Sequence, residues 1–139
     1  MVDQPPDLTA MLHAAYAAGN EVEARLSGVG LSGAKLAALH CISEAGESMP
    51  LGQVAERLAC VKSNITQLVD RLEADGLVTR ELDPNDRRTK LAVLTPSGRK
   101  AVKEGLRVKQ EAEREVLGRL SRDEAQQLAA LLSKIGNTA

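Results

Sequence analysis

Apolar positions recur along the chain at helical spacing in several separate runs. The first contains Leu8, Met11, Leu12, Ala15, Val22 and Leu26, one face of a long helix, and Gly28 and Gly30 end it. Ser32 is placed to cap a second helix with the stripe Leu36, Leu39 and Ile42, and Gly46 is its stop. Pro50 and Gly52 introduce a short helix over 53–58 that buries Val54, Ala55 and Leu58. Over 62–74, Ile65, Leu68, Val69 and Leu72 stand at i, i+3, i+4 and i+7 and predict a fourth helix with one buried stripe. Gly76 follows as the residue that ends it.

The period then changes. Residues 77–82 and 90–94 read as strands, and Asp83-Pro84-Asn85-Asp86 between them has turn chemistry, with Pro at a position that wants its fixed φ. Together they predict a β-hairpin. Thr95 followed by Pro96 marks an N-cap and first helical residue. The helix after it extends to about residue 119, with Val102, Leu106, Ala112, Val116 and Leu120 apolar. Ser121 and Glu124 form a capping box for a last helix carrying Leu128, Leu131, Leu132 and Ile135, stopped by Gly136.

The order is four helices, a hairpin and two helices. The expected fold class is mainly α with a small β-hairpin wing: a winged helix-turn-helix with N- and C-terminal dimerisation helices. Residues 1–30 form an N-terminal helix in the dimerisation layer, 31–98 the winged lobe, and 99–139 the C-terminal helices of that layer. Apolar terminal helices in so small a chain call for completion by a second copy.

Composition narrows the function. The chain has 139 residues with a single aromatic, Tyr16, and a formal net charge of −1. Without a set of aromatics there is no stacking platform for single-stranded nucleic acid. The near-zero average hides an asymmetry: residues 1–61 carry −4, 62–103 carry +3 and 104–139 are neutral. Two cysteines are too few for a disulfide framework. No basic start leads into an apolar run, and no stretch approaches the roughly 18 apolar residues of a membrane span. The expected location is the cytoplasm, with thiols reduced and no membrane contact.

A short helix, a turn, a second helix with a polar outer face and a basic hairpin are the parts of a duplex-DNA reader. On the fourth helix the outer face carries Lys62, Ser63, Asn64, Thr66, Gln67 and Arg71. Asn64 and Gln67 are the types that pair an adenine edge bidentately, Ser63 and Thr66 can bond base or phosphate, and Lys62 suits a phosphate. The hairpin adds Arg87, Arg88 and Lys90 for backbone or minor groove. In the plainer reading this is a solvated polar face, but Ser, Asn and Thr are poor helix formers and such faces usually favour Glu and Lys. The rival from another class is a winged-helix protein–protein interaction module without DNA binding, which has no use for the basic tip.

The stretches LGQVAERL, SNITQLVDRLEADGLVTRE and DPNDRRTKLAVLTPSG, between Leu51 and Gly98, resemble the MarR family (multiple antibiotic resistance regulator). The flanking helices agree in number and order, so the resemblance covers nearly the whole chain. It implies a homodimeric transcriptional regulator, expected to be a repressor, with a recognition helix over 62–74 and two lobes on a palindromic duplex operator. It also implies that Arg88 enters the minor groove and that Asp86 holds the wing tip through a salt bridge. The chain departs from the family pattern at Ala59, where Gly is common, and Val61, where a Ser cap is common. Ser63 is then the expected cap.

Family members often release DNA on binding a small phenolic or aromatic acid, and the expected effector cleft is lined by Met11, His13, Tyr16, Leu36 and His40. Cys60, at the turn before the recognition helix, is a candidate redox thiol, since a helix N-terminus lowers thiol pKa. Cys41 lies beside an apolar stripe and reads as core. His13, His40, Cys41 and Cys60 lack metal-ligand spacing, so no metal is expected, nor any cofactor. Nucleophile triads, phosphate loops and paired-carboxylate motifs are missing, so the chain does not read as an enzyme. Asp70 and Glu73 are expected to pair with nearby basic side chains.

Overall fold

A computed structural model describes residue 5, residues 7–58 and residues 64–136. Its elements run α1 (Leu8–Ser27), α2 (Gly33–Glu44), β1 (Ser48–Pro50), α3 (Leu51–Arg57), α4 (Ile65–Ala74), β2 (Val78–Asp83), β3 (Asp86–Leu94), α5 (Pro96–Leu117) and α6 (Arg122–Ile135). The sheet is antiparallel in the order β1-β3-β2.

The caps expected from sequence are in place. Ser32 accepts from the Lys35 backbone N–H, Thr95 from Gly98, and Ser121 and Glu124 form the reciprocal capping box. Gly76 lies at φ +74°, where a β-carbon is disfavoured, and it turns α4 into β2. The short helix starts at Leu51, directly after Pro50, rather than at residue 53. The long helix ends at Leu117 with Gly118 as cap rather than at residue 119. Strand β1 was not expected. It is a three-residue edge containing Pro50, too short to show a period, and it pairs Met49 with Ala92.

One hydrophobic core draws on all three sequence regions: Leu26 of α1, Leu36, Leu39 and Ile42 of α2, Leu68, Val69 and Leu72 of α4, Val78 and Ala92 of the sheet, and Val102 and Val108 of α5. Cys41 packs against it, with its Sγ 3.7 Å from Met49 Sδ. At the corner where α5 leaves the sheet, Thr95 Oγ donates to the Gly76 carbonyl at 2.6 Å. A β-carbon on Gly98 would collide there with the Leu77 carbonyl oxygen, so only glycine lets α5 approach this closely. Away from the core, α6 buries none of its residues.

Candidate nucleic-acid interface

Helix α4 starts three residues later than the expected 62. Asn64 is its N-cap, its side-chain oxygen accepting the Gln67 backbone N–H at 3.3 Å. Asn is among the best residues for this task, so no serine cap is needed. With its oxygen held by the helix, Asn64 is not free to pair an adenine edge through both side-chain groups. Leu68, Val69 and Leu72 are buried while Thr66, Gln67 and Arg71 are exposed, so the stripe and the polar face divide as expected. Gln67 and Arg71 are one turn apart and share a side. Lys62, Ser63 and Cys60, with Ala59 and Val61, lie outside the described residues.

The hairpin tip is built differently from a simple turn. Leu82 pairs with Lys90, but the next pair is Asp83 with Asp86. One step along β2 (Leu82 to Asp83) thus matches four along β3 (Lys90 to Asp86), and Arg87, Arg88 and Thr89 are left over, extruded from the ladder. Asp86 does not hold this bulge through an expected salt bridge, for among the described residues it pairs with no cation. Its carboxylate instead accepts the Arg88 backbone N–H at 3.0 Å and the Thr89 hydroxyl at 3.0 Å. Asp83 likewise accepts from the Asn85 N–H at 2.9 Å. These bonds satisfy backbone that the ladder gives up, and they leave both guanidinium groups facing water.

Among the described residues Arg71, Arg87, Arg88 and Lys90 have no carboxylate partner; the same holds for Arg57, Lys100, Lys103, Arg114, Arg122 and Lys134, while Arg25, Arg107, Lys109 and Arg119 on α1, α5 and the turn after it are ion-paired. What sets the tip apart is that two such cations are adjacent and extruded from the ladder. Asp70 and Glu73, expected to find basic partners, both find Arg80 of β2. Sequence reading did not name Arg80. Its signal was a cation two residues after buried Val78, on the strand face that turns inward. A groove of about 450 Å³ between α3, α4 and the hairpin is lined by Leu51, Ala55, Ile65, Thr66, Arg80 and Lys90.

The expected effector residues are dispersed. Met11, His13 and Tyr16 are exposed on α1, and Tyr16 is 72% accessible. Leu36 instead is a core residue, 2% exposed, and its side chain fills the space beside Gly105. His40 Nε2 lies 3.4 Å from Glu44 on the same helix. Among the described residues no group of three or more His, Cys, Asp or Glu is placed to hold a metal, and no helix is long and apolar enough to cross a membrane.

Comparison with known proteins agrees with this geometry. The family model "MarR family" matches residues 31–90. The HTH-type transcriptional regulator YcgE of Bacillus subtilis is 30% identical over 81% of this chain and 72% of its own length. The chain belongs to the MarR family. Its members are transcriptional regulators, not enzymes, and the winged helix described above is the MarR fold. A second B. subtilis regulator, YkoM, is 36% identical over 62% of this chain, and the match spans only 56% of YkoM. A probable transcriptional regulator from Pseudomonas aeruginosa superposes with a TM-score of 0.76 at 30% identity, covering 93% of this chain and 96% of that one. A mutant MarR from E. coli, complexed with operator DNA, has the same fold, with a TM-score of 0.76, 24% identity and 92% coverage of each chain.

Proposed function

We propose that this MarR-family regulator is a homodimeric repressor of transcription that grips a palindromic duplex through two winged lobes. Helix α4 enters the major groove, with Gln67 on base edges and Thr66 and Arg71 on bases or backbone. The extruded Arg88 enters the adjacent minor groove, with Arg87 and Lys90 on phosphates. Residues 31–98 form the reading lobe, and residues 1–30 and 99–139 the dimerisation layer. Release by a small-molecule effector is a finer part of the same reading.

The observation that carries it is the unpaired basic bulge beside an exposed polar helix face on a chain of net charge −1. Two adjacent arginines without carboxylate partners are extruded from the ladder beside the polar face of α4, and a protein-binding wing gains nothing from them. The dimer is supported by two apolar stripes with nothing over them. Leu8, Met11, Leu12 and Tyr16 on α1 are at least 46% exposed, and Leu128, Leu131, Leu132 and Ile135 on α6 are 42–64% exposed. Contiguous exposed apolar faces of this kind mark protein interfaces.

Selection from a random duplex pool at low salt tests the reading. The expected product is an inverted repeat with half-sites about 10 base pairs apart, one helical turn, bound by two chains. Recovery of no enriched duplex contradicts it.

A further inference from the structure

Arg80 does more than answer two carboxylates. It leaves β2 toward α4, and its guanidinium reaches two residues nearly one helical turn apart, Nη2 lying 2.6 Å from Asp70 Oδ1 and Nη1 3.1 Å from Glu73 Oε1. The side chain is only 24% exposed while its partners are 56% and 43% exposed, so the fork is seated between strand and helix rather than splayed on the surface. A planar fork can satisfy both acids at once, whereas an ammonium offers a point charge and no such span.

The position matters because of what lies on either side. The hairpin base is fixed by Val78 and Leu94 in the core. Beyond Leu82, which is 59% exposed, the ribbon has two strands and ends in the bulge that carries Arg87 and Arg88. A two-stranded ribbon without a packing partner is marginal and free to twist. Arg80, opposite Ala92 in the three-stranded part of the sheet and two residues before Leu82, ties the strand that leads into that ribbon to the exposed side of α4. Asp70 and Glu73 would otherwise repel the phosphates that this side approaches, so a simple reading face has no use for them.

Resting on the DNA-binding reading above, we infer that Arg80 is a positioning residue: by bridging Asp70 and Glu73 it sets the angle between α4 and the wing, so that Arg88 reaches the DNA when α4 is seated in the groove. Ion pairs of this exposure contribute little to stability, so its effect belongs in recognition.

Four proteins on the selected duplex test this: wild type, Arg80→Ala, Arg88→Ala and the double variant. Each is first checked for wild-type helix content and melting. Arg80→Ala weakens binding about tenfold, as does Arg88→Ala, and the double variant is weaker than either by less than about twofold, because an unpositioned wing has already lost its contact. Additive losses, or wild-type affinity in Arg80→Ala, overturn the inference. A second variant, Asp70→Asn with Glu73→Gln, keeps the Arg80 charge and frees it. Weaker binding supports positioning, and tighter binding shows that Arg80 acts on phosphate and overturns it. A wild-type protein that binds no duplex overturns both this inference and the DNA reading, whereas additivity with intact wild-type binding overturns this one alone.

Discussion

The reading lobe and the terminal arms use their residues in opposite ways. In the lobe, Leu68, Val69, Leu72, Val78 and Ala92 are buried, and Arg71 of α4 and Arg87, Arg88 and Lys90 of the wing are left without carboxylate partners. In the arms ion pairs tie α1 to α5 and the turn after it, Arg25 with Glu115 at 2.7 Å and Arg119 with Glu21 at 2.8 Å, while the apolar stripes of α1 and α6 stand in water. Each region therefore lacks what its partner would supply. The wing-tip cations lack anions and the arms' stripes lack apolar cover. On the proposed reading, DNA would meet the first need and a second copy of the chain the second.

The contrast breaks most severely in the arms. Leu131→Glu with Leu132→Glu should weaken dimerisation by about 3 kcal/mol or more, roughly a hundredfold, since two side chains lose their burial and two charges enter an apolar contact. Analytical ultracentrifugation should then find monomer at concentrations where wild type is dimeric. Wild-type association in this variant would mean that α6 is not the interface. Gly98→Ala acts at the corner where lobe and arm join. The methyl group meets the Leu77 carbonyl oxygen, and overpacking of this kind costs about 1–3 kcal/mol, read as a lower urea midpoint.

Smaller effects separate the two regions more finely. Asn64→Ala removes the cap of α4 and should cost about 1 kcal/mol of stability, with DNA affinity falling as the first turn frays. If affinity falls with no change in stability, Asn64 touches DNA rather than capping. The smallest change is one of pH. The Ser121 cap holds the Glu124 carboxyl below the ordinary glutamate range, chiefly through the Ser121 backbone N–H. A depressed folded-state pKa stabilises above the unfolded value and is lost as pH falls through the folded one. Helix α6 should therefore fray below about pH 4, seen as a slight loss of helical circular dichroism that Glu124→Gln abolishes.

Much of this was legible in the sequence because its devices are local. A stripe at i, i+3, i+4 and i+7 names a buried face, and a Ser or Thr before a helical run names a cap, so α1, α2, α5 and α6 were readable nearly to their ends. Long-range pairing was not. Strand β1 exists only because β3 passes beside Ser48–Pro50, and three residues show no period. The bulge was hidden for a related reason, because extrusion of Arg87–Thr89 depends on register between two strands rather than on the residues alone. Two capable caps, Ser63 and Asn64, stand side by side, and the choice between them depends on how the chain enters α4. Arg80 was missed because its meaning comes from a helix ten residues earlier. The apolar stripe of α6 was plain, yet nothing among the described residues covers it.

The most direct test of the central claim, that unpaired charge at the wing and on α4 is kept for DNA, is the salt dependence of binding to the selected duplex. The logarithm of affinity should fall linearly with the logarithm of salt, with a slope near −0.9 for each phosphate neutralised. Arg87→Ala, which removes one phosphate contact from each wing, should make that slope shallower by roughly 1.8 per dimer, and Arg88→Ala should weaken binding about tenfold or more. An Arg87→Ala protein with the wild-type slope, or an Arg88→Ala protein with the wild-type affinity, would contradict the account.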